Sequence, residues 1–381
     1  MRRPDMRAKR ILAALLIGLG LALIASTYVN DDPGAILNLG DLPGFYGLGR
    51  IVVEGRGALL YDFALQRDIQ NHFWPQLAGS SFPTMYPPVV GLVMAPLSLL
   101  PPPAVHGILA ATSFFLLCAL VRWQSPDRQI ERFGLILFSV PTLVSIVAPQ
   151  TTILSLLFIT ACRHFLLSAK NFGAGVCAGL LLYKPQIGVP FILIAGAGGG
   201  ATFYAGTFLS ALGLYSIGVF VVGGEWVLPW VEKIQEFSVL RRSVEAFQFT
   251  AITGGVAPYL FTGSWAGATQ IVVAMLGLAL CAVMTWRQRS QFTARDSAIT
   301  LFLTTYAAFV PQTIFYDLAI PLFALFTSIS LSNKRALYQS ILVAVLVNAC
   351  TFIRSPSLSL VPVAALIIAL FSVRSRSWPA S

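Results

Sequence analysis

The chain has 381 residues, 56% of them hydrophobic and only 10% charged, with a mean hydropathy of +0.78. That composition excludes a soluble domain and assigns an integral membrane protein. The net charge of +10 invites a nucleic-acid partner, but the basic residues form short clusters between apolar segments rather than an aromatic-interleaved stripe, so that class is excluded too.

The basic start MRRPDMRAKR precedes an uncharged run at 11–29 that is long enough to span a bilayer. It exceeds an ordinary signal-peptide core and lacks a clean small-x-small cleavage site, so an uncleaved first helix with a cytoplasmic start is expected. Residues 30–84 then form a long polar stretch rich in aromatics and acids, with Asp31, Asp32, Asp41, Asp62 and Asp68 beside the membrane surface. A loop of that length in a compact fold is functional or disordered, and its aromatics and helix-like patches favour the lid of an active site.

Further apolar segments follow near 85–100, 104–121, 133–148, 151–167, 173–195, 201–222, 265–285, 298–312, 314–330, 337–353 and 357–373. Prolines bracket 83–103, which reads as re-entrant. Lys184-Pro185-Gln186 interrupts 173–195, which reads as two half-length helices meeting near the outer face, because a lysine is costly in hydrocarbon. Assigning 1–10, 122–132, 163–170, 287–296, 334–335 and 374–376 to the cytoplasm gives that side 17 of the 25 Lys and Arg. This positive-inside bias makes 30–84, Lys184, a second loop at 223–264 and Asp317 external. The expected organisation is a single all-α polytopic membrane domain over 1–381, with 30–84 as its catalytic loop and about 10–13 membrane segments.

Familiar soluble sites are missing. The three histidines, His72, His106 and His164, are far apart, with no HExxH, Walker A, GxSxG or GxGxxG motif. The five cysteines lie in apolar segments without CxxC spacing and read as packing residues.

The polar residues assigned outside carry the chemistry. Asp41 opens DLPGFYGLGRIVVEGRGALLYD, in which Tyr46 and Arg50 recur at helical spacing; it can serve as a base toward a sugar hydroxyl, or merely cap a helix. A helix starting at Pro185 points its positive end at Lys184, making an anion site suited to a lipid phosphate; the alternative is a lysine snorkelling to headgroups. Tyr86, in YPP, borders a cavity or belongs to the interfacial aromatic belt. Pro149-Gln150-Thr151 and Pro311-Gln312 break helices near the same surface. Asp317, in FYDLAIP, is an intramembrane acid and so a functional candidate, unless Arg241, Arg242 or Arg354 pairs with it.

The order of Asp41 with GFYGLGRIVVEGRGALLYD, YPP, APLSLLP, PQTTILSLL, LLLYKPQIGVPFIL and PQTIFYDLAIPLFAL resembles the membrane glycosyltransferases of family 87 over roughly residues 35–330. Polyprenyl-phosphomannose-dependent α-mannosyltransferases and arabinofuranosyltransferases are related to that family. The resemblance implies a GT-C type bundle in the cell membrane, using a polyprenyl-phosphate sugar donor at the outer, periplasmic face and a lipid or glycan acceptor. It implies Asp41 as catalytic base, with Lys184, Tyr316 and Asp317 at the family's other matched positions. Substrate contacts are expected from Tyr46, Arg50, Tyr86, Gln150, Lys184, Gln186, Tyr316 and Asp317. No cofactor is required, although the carboxylates leave room for a divalent metal. One departure is the connector AGAGGGA after the KPQ segment, which lacks the basic residues expected there. The competing classes are a transporter or flippase for polyprenyl-linked saccharides, and a polymer ligase. Clustering of the candidates on one face rather than at the midplane favours an enzyme.

Overall fold

The computed structural model describes residues 40–77, 83–125, 129–243, 265–287 and 315–328, with short helical pieces between 299 and 347. The expected helix at 11–29, Asp31, Asp32, Gln312, the 244–264 part of the second loop and the segment at 357–373 lie outside the described residues. Among the described residues every regular element is a helix or a 3₁₀ turn, as the composition requires.

The polar stretch after residue 40 is a folded helical unit. Helix α1 (Leu42–Val53), with Pro43 in its first turn, is buried along nearly its whole length. Helix α2 (Phe63–Phe73) starts at Asp62, whose carboxylate accepts from the backbone of Ala64 and Leu65, as an N-cap should. The fully buried Gln66 bonds the Leu60 carbonyl and both backbone groups of Thr84, stitching this unit to the chain before Tyr86. Helix α3 (Val89–Leu97) packs against α1, and its nine residues rise only about 13 Å, too little to cross a bilayer.

Among the described residues two helices have the length and apolarity of membrane spans, α4 (Pro102–Gln124) and the one at Pro185–Val221, and a bent pair, α5 (Gln129–Phe138) with α6 (Val140–Val147), which turns by 83° at Ser139, makes a third if it counts as one span. The segment expected as one helix at 133–148 is therefore broken, with Pro141 in the first turn of α6. Helix α7 (Thr152–Leu167) leads to α8 (Asn171–Leu180), which ends in a 3₁₀ turn at Leu181–Tyr183.

Helix α9 (Pro185–Val221) begins at Pro185, as the sequence predicts, but is not one rod. Gly200 has φ 69 and ψ −169, a conformation open essentially to glycine alone, and the helix breaks there. The chain turns back at Lys184 tightly enough to press Gly188 on the Leu181 carbonyl. Residues 185–199 then rise about 22 Å away from Lys184. After the break, 201–221 crosses α8, with Gly175 against the Phe203 carbonyl and Ser210 donating to the carbonyl of Val176. This explains the AGAGGGA connector. It is a glycine hairpin between helical halves, with no extended loop to carry basic residues.

The remaining described helices are α10 (Val227–Ser243), α11 (Trp265–Arg287) and α12 (Ala319–Ser328), the last preceded by a 3₁₀ turn at Phe315–Leu318. The main core runs through α4 to α9 and α12, with Leu135, Ile153, Phe191 and Phe323 among its members. Two smaller cores hold the 42–97 unit, and Trp230 of α10 packs on one of them. Arg132 donates to the Phe326 carbonyl at 2.6 Å and Arg163 to the Thr300 hydroxyl at 3.0 Å. These basic anchors lie roughly 10 Å along α12 and roughly 16 Å along α7 from the helix starts described next.

Candidate functional site

Several helices begin at one place. Asp41 precedes α1, Tyr86 lies three residues before α3, Thr151 precedes α7, Lys184 precedes α9, and Tyr316 and Asp317 lie just before α12. Each start turns the positive end of its helix dipole toward the others.

Asp41 occupies the N-cap position of α1 but makes no capping bond. Its carboxylate turns instead to Gln150 and Tyr316. With the Gln150 amide in the orientation its neighbours require, its nitrogen donates to Asp41 Oδ2 at 2.9 Å and its oxygen accepts from the Asp41 N–H at 3.2 Å. The Tyr316 hydroxyl donates to the same Oδ2 at 3.4 Å. Gly40 brings the chain here. With φ 54, it packs so closely that a Cβ would lie 2.8 Å from the backbone of Ala148. Burial pushes the Asp41 carboxyl above the usual carboxylate range. The Gln150 bond and the nearby Lys184 ammonium pull the other way, and the charge of Asp317 adds to the rise. Asp41 and Tyr86 are each partly rather than fully buried.

Beneath them lies an ion pair. Lys184 Nζ is 2.6 Å from Asp317 Oδ1, and each side chain is 1% exposed. Thr152 donates to the same carboxylate oxygen at 2.9 Å, and the ammonium faces the Tyr316 ring 5.2 Å from its centroid. The structure pairs Asp317 with Lys184, and so joins two candidates into one unit; Arg354 and the side chains of Arg241 and Arg242, the partners considered from sequence, lie outside the described residues. Lys184 is thereby removed from the headgroup surface. Tyr183 completes the floor, donating to the Thr151 carbonyl at 2.8 Å beside the Ser155 hydroxyl, while the Tyr86 hydroxyl is 3.3 Å from Thr151 Oγ1.

Asp41, Gln150, Lys184, Tyr316 and Asp317 are thus brought together, with Tyr86 beside them. Gln186 is half-buried on the first turn of α9. Tyr46 and Arg50 are not part of the cluster. Five and nine residues into the helix from Asp41, they are rotated about 140° and 180° from it. Tyr46 is buried among Phe73 and Trp74 and donates to the Leu100 carbonyl, while Arg50 pairs with Glu54 and lies over Phe73. Thr152 and Tyr183 went unrecognised, and Thr151 was read only as part of a helix break; the one signal for a role in the site was adjacency to Gln150 and Lys184. His106 was set aside for want of a metal motif, yet its ring bonds the Val147 carbonyl and supports the turn carrying Gln150. Among the described residues no group of three His, Cys, Asp or Glu is placed to hold a metal.

A family model described as glycosyltransferase family 87 matches residues 84–311, more than half of the chain. The matched stretch includes Tyr86, Gln150, Lys184 and Gln186; Asp41, Tyr316 and Asp317 flank it. No curated protein and no solved structure matches the chain.

Proposed function

The chain belongs to glycosyltransferase family 87, and on that premise we propose that it transfers a sugar from a polyprenyl-phosphate donor to a lipid or glycan acceptor, with Asp41 as the base, at the outer face of the membrane. The observation that carries this reading is the behaviour of Asp41. An aspartate at a helix N-cap ordinarily caps, as Asp62 does, whereas Asp41 forgoes that bond and is held by Gln150 and Tyr316.

The chemistry needs one base and one place for departing negative charge. The acceptor hydroxyl attacks the anomeric carbon from the face opposite the leaving phosphate and gives its proton to Asp41. A carboxyl raised by burial is a stronger base than an ordinary aspartate once ionised. The phosphate leaves with the electron pair of the broken carbon–oxygen bond. Helix starts at Thr152 and Pro185, with the Lys184 charge behind them, supply fixed positive potential. Lys184 acts here through its field, because Asp317 already holds the ammonium. The basic anchors Arg132 and Arg163 sit at the other end of the bundle, which under the positive-inside rule supports an external site.

The test is donor choice. Purified chain in proteoliposomes is given polyprenyl-phosphate mannose, polyprenyl-phosphate arabinofuranose or nucleotide sugars, with a membrane lipid extract as acceptor. Consumption of a polyprenyl-phosphate donor is expected. Turnover confined to nucleotide sugars would overturn the donor assignment, and movement of intact donor between leaflets without transfer would favour the flippase.

A further inference from the structure

We propose that Gln150 is the positioning residue of Asp41: its amide grips the backbone and the carboxylate of that residue together, commits Oδ2, and presents Oδ1 to the acceptor hydroxyl. This rests on the reading of Asp41 as base and assigns Gln150, expected from sequence to touch substrate, a different task.

The two bonds do different things. The bond from the Gln150 amide nitrogen to Oδ2, at 2.9 Å, orients the carboxylate; the bond from the Asp41 N–H to the amide oxygen, at 3.2 Å, fixes the main chain that bears it. Together they stop rotation about the side chain, which either bond alone would permit. A primary amide is suited to this, since it offers a donor and an acceptor without charge. A glutamate would set a second carboxylate against the first, and an aliphatic side chain would leave the Asp41 N–H unanswered and its carboxylate with the longer Tyr316 bond alone. The Tyr316 hydroxyl falls on the same Oδ2 at the longer distance of 3.4 Å. Among the described residues no bond reaches Oδ1.

Gln150 is itself held. It is buried, its N–H donates to the Ser145 carbonyl, His106 ties the Val147 carbonyl, and Gly40 abuts Ala148. The clamp is therefore built on the body of the bundle. In the transfer step the acceptor oxygen bonds to the anomeric carbon, and the carbon–oxygen bond to phosphate breaks with its electron pair leaving on phosphate. The acceptor proton moves to Asp41 Oδ1. The charged and titratable groups facing Asp41 are Lys184, Asp317, Tyr316 and Tyr86. Gln150 differs from them in being neutral throughout, so its contribution to Asp41 is constant with pH.

The experiment measures Asp41 directly. The carboxyl band that disappears in Asp41→Asn is followed by difference infrared titration of the ligand-free protein, in the parent and in Gln150→Leu. Losing a donor to the charged form should move the Asp41 midpoint upward by about one pH unit. In the transfer assay, Gln150→Leu should lower kcat by about 10- to 100-fold, leave the donor KM within about twofold, and shift the acid limb to match. Gln150→Glu, which keeps the side-chain shape should the apolar variant misfold, should move the midpoint further in the same direction. An unmoved midpoint, or lost donor affinity at an unchanged kcat, would overturn the proposal. Failure of the base reading is separable: there Asp41→Asn itself transfers at the parental rate.

Discussion

Lys184→Met removes the ammonium lying 2.6 Å from Asp317, in a pair whose side chains are each 1% exposed. At an effective dielectric of ~20 the attraction at that distance is about 6 kcal/mol, most of it offset by taking both charges out of water. The attraction vanishes when one partner goes, while the cost of keeping the other charge out of water remains. The aspartate keeps the Thr152 hydroxyl but loses its cation, and breaking such a pair typically costs about 3–5 kcal/mol. Denaturant unfolding of the purified protein should show a loss of that size for Lys184→Met and recovery of most of it in Lys184→Met/Asp317→Asn. Transfer per folded molecule should stay low in both, since the cation next to Asp41 is missing from each. Parental stability in Lys184→Met, or no recovery in the double variant, would refute the buried pair. Parental transfer in the double variant would remove the Lys184 charge from the reaction.

Three further outcomes are expected. Because burial raises the Asp41 carboxyl, acidification should protonate the base at a pH above the ordinary aspartate value of about 3.9, so kcat/KM rises with pH along a limb that Asp41→Asn lacks; a limb at or below that value contradicts the burial. Gly40→Ala should lower stability by about 1–3 kcal/mol and also transfer, by clashing with Ala148 beside Asp41. Gly200→Ala meets nothing within 4 Å, and should show a conformational cost of similar size with transfer per folded molecule unchanged. Arg56→Cys at the exposed turn after α1 should label from outside intact cells and Trp123→Cys near the end of α4 should not; the reverse pattern inverts the topology.

Features governed by local chemistry were legible in the sequence. Pro185 begins a helix because its missing N–H costs nothing at that position, and Lys184 stood out because an ammonium in an apolar segment needs a partner. Which partner was not legible: Asp317 lies 133 positions away, and only the folded bundle brings them together. Tyr46 and Arg50 were drawn toward the site by their spacing in a helical pattern. The same helix turns them away from Asp41, since closeness in sequence does not fix a shared face. The capping alternative for Asp41 was equally sound locally and is realised at Asp62; the choice between them is made by Gln150 and Tyr316, which approach from other elements. The bend at Ser139 escaped notice because it interrupts a run that remains uniformly apolar, whereas the break at Gly200 falls in the AGAGGGA connector that separates 173–195 from 201–222 in the sequence.

On the function proposed above, Asp41 takes the acceptor's proton during transfer from a polyprenyl-phosphate sugar. The most direct measurement compares parent, Asp41→Asn and Asp62→Asn in one reconstituted transfer assay at equal folded protein, with donor binding measured alongside. Donor affinity should be unchanged in all three, turnover near-parental in Asp62→Asn, and lower by roughly 100-fold or more in Asp41→Asn. Asp41→Asn turning over like the parent would contradict that role.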